Sequence, residues 1–430
     1  MTVLSEQELA IHGGPPAVPD WQRHEPLFHW PIVTTEDEQA VLDVLRAGTM
    51  SSKDVTMAFE REFAGWLGVE HALGFCNGTA ALQAAMWAVG LGRGDELICP
   101  SVTYWASALQ AFSLGATVVF ADIHPDSLCI DPADIEHRIS QRTKAIMVVH
   151  YCGHPADMDA ILSIARRHGL KVIEDNSHAH GSLYKGRLTG TLGDVAAMSM
   201  MAGKSFAIGE AGMLTTDDAE LFERAVAFAH YQRHGTQLTR PELTALAGLP
   251  LGGVKGRMNQ TCAAMGRVQL RHYPRRMAEI QSALHRFWDA LKGTPGLRPH
   301  HPPADSGSTM GGWYNPLGHY VPEELGDLPV ARFIEAVQAE CGRCGRGVNF
   351  PLHLHPVFNE ADVYGDGKPT RLAFADRDVR QGPGSLPVAE GIAERAFGIP
   401  WMKHDVPEIV AQYAAAYRKV AVQAEKLLAR

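Results

Sequence analysis

An excess of basic charge, a long apolar run and a regular cysteine pattern are all missing from this 430-residue chain. Its formal net charge is −9 and its pI is near 6.2, with lysine and arginine scattered rather than blocked, so the electrostatic footprint of a nucleic-acid binder is absent. No apolar run approaches the roughly 18 residues needed to span a bilayer. The opening Met1-Thr2-Val3-Leu4-Ser5-Glu6-Gln7-Glu8 lacks the basic flank and apolar stretch of a signal peptide. The expected location is cytoplasmic, with neither nucleic acid nor membrane as partner. Seven cysteines at irregular spacing make no disulfide framework, and Cys341-Gly342-Arg343-Cys344 is a lone C-x-x-C without the second pair of a zinc site.

What remains is an ordinary globular composition, 46% hydrophobic and 20% charged, in a chain too long for one core. Two lobes are expected. Residues 1–30, with Gly13-Gly14-Pro15-Pro16, Trp21 and Trp30, read as an arm laid over a surface. From Asp54, the positions Val55, Phe59, Phe63 and Trp66 follow a helical stripe. Short apolar runs then alternate with helical patterns: Ala72–Cys76, Glu96–Cys99, Ala116–Asp122, Ile146–Tyr151, Leu170–Asp175, Val195–Met201 and Gly212–Thr216 are strand candidates. Strands that are apolar throughout and separated by helices predict an α/β fold with a mostly parallel sheet covered on both faces. The segment Thr261–Leu291 reads as one or two long helices. The Pro- and Gly-rich stretch after it marks a boundary, giving a large domain over 31–295 and a smaller α+β domain over 296–430. Helices are expected there at Val330–Ala339, Ala389–Phe397 and Pro407–Leu428.

Four features carry chemistry. Lys204 lies in the apolar and small-residue run Ser199–Gly212. Read alone it is a lysine snorkelling from a strand end, but a buried amine can also be held partly neutral and attack an aldehyde. Asp175 ends an apolar strand, where it is either a helix cap or a carboxylate placed at the carboxyl edge of the sheet. An acid able to hold a pyridinium nitrogen, followed by a lysine able to hold an aldehyde, is the pairing that pyridoxal phosphate requires. Asn77-Gly78-Thr79 between a strand and a helix is ordinary turn chemistry, or a set of backbone N–H groups for a phosphate. Tyr104-Trp105 follows a strand end; one of the two rings is expected in the core, and Tyr104 is the candidate to stack on a cofactor ring. Two H-x-H pairs, His178/His180 and His353/His355, have no carboxylate at the spacing of a recognised metal motif, so no metal is assigned.

Taken together, Asn77–Leu82, Gly94–Ser101, Glu174–Gly181, Ser199–Gly212, Pro351–Pro356 and Leu386–Pro400 resemble the DegT/DnrJ/StrS family of pyridoxal-phosphate-dependent sugar and cyclitol aminotransferases, over about residues 30–425. The resemblance implies the type I (aspartate aminotransferase-like) fold and pyridoxal 5′-phosphate as cofactor. It also implies a homodimer with the active site at the subunit interface. Lys204 matches the Schiff-base lysine and Asp175 the partner of the pyridine nitrogen. His178 matches the residue near the phenolic oxygen, and Gly78, Thr79 and Ser199 match the phosphate cradle. Two positions depart from the pattern. Lys255 and Gly256 stand where the family has Asn-Tyr, so Lys255 is expected to reach the neighbouring subunit's phosphate and Gly256 to open the substrate side. Asn176-Ser177 replaces small apolar residues.

The implied reaction transfers an amino group from glutamine or glutamate to a keto-sugar or keto-cyclitol, with Arg257 and His353 as candidate substrate-binding residues. The opening Gly13-Gly14 and Trp21 are similar to cyclitol-type members. A nucleotide-sugar aminotransferase, which would need cations such as Arg257, Arg343 or Arg346 for a diphosphate, is the alternative. A non-transaminating regulator and a metal hydrolase are the others. Retention of Lys204 argues against the dehydratase-like relatives, which carry histidine there.

Overall fold

The computed structural model describes residues 7–428; the first six residues of the arm and the last two of the chain lie outside the described residues. Its largest element is a seven-stranded sheet of β1 (His71–Phe75), β2 (Glu96–Pro100), β3 (Thr117–Ala121), β4 (Thr143–Val149), β5 (Lys171–Asp175), β8 (Val195–Ser199) and β9 (Gly212–Thr216). The short hairpin β6 (Leu183–Tyr184) and β7 (Arg187–Leu188) lies between β5 and β8 in the chain. The spatial order is β1-β9-β8-β5-β4-β2-β3, and only β9 runs against the other six. Its strands are buried along nearly their whole length, as expected of a sheet covered on both faces by helices.

The parallel strands end together at Pro100, Ala121, Val149, Asp175 and Ser199, which sets the crevice side of the sheet. Helix Gly78–Ala88 follows β1 after two residues, and Asn77 caps it by accepting from the Ala80 N–H at 2.8 Å.

Helix Gln260–Leu291 is a single element despite Pro274 within it. Its first half buries Ala263, Leu270 and Tyr273 among Phe59, Phe63 and Phe206. Its second half buries Ile280, Leu284, Phe287 and Leu291 in another core, with Phe333 and Tyr417 of helices Val330–Cys341 and Pro407–Ala421. Leu9 and Val18 of the N-terminal segment are buried in that same core. Its sheet is antiparallel, in the order β10 (Leu297–Pro299), β11 (Leu317–Tyr320), β13 (Ala396–Gly398), β12 (Gly345–Arg346). The helix expected over Ala389–Phe397 is not formed. A short helix, Pro387–Gly391, gives way to a 3-10 turn and then to β13, where buried Phe397 pairs with strands on both sides and Ala396 with β11.

Candidate active site

At the carboxyl edge of the sheet lies a cleft of about 510 Å³. Seven of the sequence-derived residues line it: Gly78, Thr79, Tyr104, Asp175, His178, Ser199 and Lys204. The floor is made by close backbone contact. A Cβ on Gly78 would lie 2.6 Å from Ser199 Cβ, and one on Gly212 would lie 2.4 Å from the Asn77 carbonyl. Only glycine fits at either place, and Gly78 and Thr79, the first two residues of the helix, whose N–H groups have no partner within it, line the cleft. Such a floor is built to receive an anion.

Lys204 sits in the turn after β8, its N–H donating to the Met201 carbonyl at 2.8 Å. Trp30 Nε1 donates to the Lys204 carbonyl at 2.7 Å, and Lys204 Nζ lies 4.2 Å from the centre of the Tyr314 ring. Burial lowers the amine's pKa to about 8, against the opposing pull of the Asp175 carboxylate and the Cys152 thiol. An amine in that range is partly unprotonated near neutral pH, as a nucleophile for an aldehyde must be.

Asp175 is buried at the end of β5. Ser107 Oγ donates to its Oδ2 at 2.7 Å and the Ser177 N–H to its Oδ1 at 3.1 Å, while Thr103 Oγ1 stands 2.9 Å from Ser107 Oγ. The strand's alternation turns its neighbour Glu174 the other way. Glu174 is fully used as a structural acceptor for His150 Nε2 and the N–H groups of Gly190, Leu192 and Gly193. Although burial opposes it, these donors hold the Glu174 carboxyl below its usual pKa. His178 is buried against Tyr314, ring centres 4.4 Å apart. Burial, with Lys204 and His180 nearby, keeps it neutral.

The expectation that one ring of Tyr104-Trp105 packs in the core is not met. They are 48% and 40% exposed, with ring centres 5.0 Å apart; both precede helix Ala106–Ser113, and Tyr104 lines the cleft.

Three predicted site residues lie elsewhere. His353 is fully buried, its Nδ1 at 2.7 Å from Ser101 Oγ and its Nε2 at 3.0 Å from Glu390, so both ring nitrogens are used inside the fold. Arg257 bonds the Ser51 carbonyl at 3.0 Å and the Gln232 side chain, away from the cleft of its own chain. Lys255 is exposed in the irregular stretch before it. Gly256 opens no space: a Cβ there would meet Phe75 at 2.9 Å and Ala229 at 3.1 Å.

The cleft also contains residues that sequence reasoning passed over, chiefly Tyr314, Asn315, Asn349 and Glu210. A signal was present in Gly311-Gly312-Trp313-Tyr314-Asn315-Pro316, a turn-rich stretch in which Trp313 and Asn315 take positive φ (50° and 47°). Among the described residues, no group of three or more His, Cys, Asp or Glu is arranged to hold a metal, and no helix is long and apolar enough to cross a membrane. The H-x-H pairs serve the fold or the cleft wall, and Cys341 and Cys344 are buried free thiols.

A larger cleft, about 1030 Å³, opens between the lobes and shares no lining residue with the first. Its cations are already paired, Lys185 with Asp159 at 2.5 Å, Arg395 with Glu323 at 2.5 Å and Arg298 with Glu324. Three of its four histidines are tied to backbone carbonyls, His154 to Pro155 at 2.8 Å, His301 to Pro302 at 2.8 Å and His319 to Asp126 at 2.9 Å, and His124 Nδ1 accepts from the Asp126 N–H at 3.3 Å.

Residues 31–412 match the DegT/DnrJ/EryC1/StrS aminotransferase family. The chain is 31% identical over 405 residues to an L-glutamine:2-deoxy-scyllo-inosose aminotransferase of Streptoalloteichus tenebrarius, covering 90% of this chain and 91% of that one. It is 36% identical over 263 residues to a dTDP-3-amino-3,4,6-trideoxy-alpha-D-glucose transaminase of Streptomyces venezuelae, covering 61% and 67%. The crystal structure of an aminotransferase from Psychrobacter cryohalolentis superposes with a TM-score of 0.80 at 27% identity, over 93% of this chain and all of that one. The chain belongs to the DegT/DnrJ/EryC1/StrS aminotransferase family, has the type I fold of those enzymes, and uses pyridoxal 5′-phosphate.

Proposed function

We propose that this aminotransferase moves an amino group from glutamine or glutamate to a keto-cyclitol that carries no nucleotide, with Lys204 as the residue that holds the cofactor. The observation that carries the choice of acceptor is the cleft's charge. Beyond the glycine floor its walls are Tyr104, Thr103, Tyr314, Asn315 and Asn349, and Lys204 is the one cation among the described lining residues. A diphosphate is ordinarily held by arginine or lysine. Arg257 is engaged with Ser51 and Gln232, and Arg343 with Glu25 and the face of Phe28. Hydroxyl and amide side chains instead suit a neutral polyhydroxylated ring. The near full-length similarity to a cyclitol aminotransferase points the same way.

When bound, pyridoxal 5′-phosphate supplies an aldehyde and a protonated ring that draws electrons from the substrate carbon. Gly78, Thr79 and Ser199 hold the phosphate end, and Tyr104 covers the ring at the cleft mouth. Asp175, oriented by Ser107 and the Ser177 N–H, keeps a proton on the ring nitrogen. Lys204 Nζ would hold the aldehyde end and, as an amine of lowered pKa in the cleft, would carry a proton to and from the substrate carbon. Lys255 is exposed, and Leu246, Leu249 and Leu251, a few residues before it in the chain, are apolar side chains open to solvent. A second copy would cover that surface and receive Lys255 at its own phosphate floor, which makes the working unit a homodimer.

The test is an assay with purified protein and the cofactor, offering amino donors one at a time and then two acceptor classes. Bleaching of the visible absorbance by glutamine or glutamate, followed by amination of an inosose but not of a nucleotide-linked keto-sugar, is expected. Preference for the nucleotide-linked acceptor would overturn the choice of substrate. A strict monomer with full activity would remove the role of Lys255.

A further inference from the structure

After β4 the chain must turn from the sheet edge toward helix Met158–His168, and it does so through Tyr151–Gly153. Cys152 takes φ 52° and ψ 24°, a left-handed conformation that a residue with a Cβ seldom adopts. Gly153 follows with φ 94°, and a Cβ there would lie 2.8 Å from the Met310 carbonyl. The turn is held from outside. Tyr151 OH donates to Asn349 Oδ1 at 2.7 Å and accepts from the Asn349 N–H at 2.9 Å, Ser182 Oγ donates to the Gly153 carbonyl at 2.8 Å, and the Asn315 amide approaches Cys152 Sγ at 3.8 Å. A strained backbone fixed by contacts distant in sequence, three of them from the cleft-lining Asn315 and Asn349, is the kind that accompanies function.

The strain has a product. It points the Cys152 N–H at His178 Nδ1, 3.3 Å away. His178 is neutral in this setting and carries one ring proton. If Nδ1 accepts from the backbone, that proton must sit on Nε2; the other tautomer would set two N–H groups head to head.

We infer that Cys152 is a positioning residue for the cofactor cleft: its left-handed backbone keeps the His178 proton on Nε2, so that the imidazole offers the cleft a donor and not a lone pair. The inference rests on the reading of the cleft as the cofactor site, where a donor suits the anionic ring oxygen of the cofactor and a lone pair would repel it. The thiol itself takes no part, so what matters at position 152 is tolerance of positive φ.

The test is made on the protein without cofactor and reads no turnover. Histidine ring nitrogens are labelled with 15N, the His178 signal is assigned with His178→Gln, and the tautomer is read from long-range proton–nitrogen correlations. The wild-type protein is expected to show His178 as the Nε2–H form alone. Cys152→Gly and Cys152→Asn, which accept left-handed φ, are expected to retain it. Cys152→Val, whose branched Cβ is excluded from that region, is expected to lose the single tautomer. A valine variant that keeps the wild-type tautomer overturns the inference. If the valine variant does not fold, the other three proteins still decide: an Nδ1–H form in the wild type, or loss of the Nε2–H form in the glycine and asparagine variants, overturns it too. A protein with the expected tautomer that fails to transaminate contradicts the proposed function and leaves this inference standing.

Discussion

The two clefts of this molecule differ in the reverse sense from their sizes. The one between the lobes has about twice the volume of the one at the sheet edge, 1030 against 510 Å³. Yet in the larger the lysine and arginines face carboxylates and the imidazoles His154 and His319 donate to carbonyls, so its chemistry is spent on holding loops together. In the smaller, a lysine of lowered pKa, an oriented carboxylate and a glycine floor face open space. Volume marks where a ligand has room. Unspent polar groups mark where one has work to do.

Substitutions should separate the two clefts on that basis. Lys204→Ala should lower turnover by roughly 10³-fold or more and abolish covalent retention of the cofactor, followed by steady-state assay and visible absorbance. Asp175→Asn removes a charge whose position is fixed by Ser107, and turnover should fall by roughly 10²-fold or more while the fold survives, as thermal melts would confirm. Glu174→Gln, one residue away, should show the opposite pattern. It disturbs acceptors for His150 and three backbone N–H groups, so stability should drop by about 2 kcal/mol or more in denaturant titration, through the fold and not the chemistry.

A pH dependence follows from Lys204. Its unprotonated amine is the nucleophile, so the rate at which the cofactor-free protein captures pyridoxal phosphate should rise with pH and level off above about 8, in place of the 10.5 of an ordinary lysine. The stability linkage has the same direction. Between about 8 and 10.5 the unfolded chain holds the proton that the folded one has released, so this residue's contribution rises with pH across that window. Stopped-flow capture rates measured from pH 6 to 10 check the midpoint. The smallest effect belongs to the larger cleft: Arg298→Gln breaks an exposed pair with Glu324 and should change stability by less than about 1 kcal/mol and turnover not at all.

The parts legible in the sequence were those whose signals are local. Gly212–Thr216 is a strand over the same residues that its apolar run marks, and Lys171–Asp175 ends on the acid that the run ends on. Asp175 ends a strand, Gly78 starts a helix and Lys204 lies in the turn that follows a strand, and a parallel sheet gathers such ends at one edge. What could not be read depends on how distant segments fold back. Tyr314 and Asn349 reach the cleft from beyond the long helix, and nothing in their own neighbourhoods says which lobe they face. His353 is the converse: a residue type rich in chemistry whose two nitrogens are consumed by Ser101 and Glu390. Gly256 shows the same limit, because the space a glycine leaves is decided by its neighbours, here Phe75 and Ala229.

Lys403 supplies the internal control for the central claim. It is another buried lysine, close to the face of Trp401, with no hydrogen-bond partner for its Nζ among the described residues, and it does not line the cleft at the sheet edge. Reducing the cofactor-loaded protein with borohydride and mapping the modified peptide compares the two lysines in one measurement. The account predicts a single pyridoxyl group on Lys204. A group on Lys403 or on any other lysine, or none at all, would contradict it.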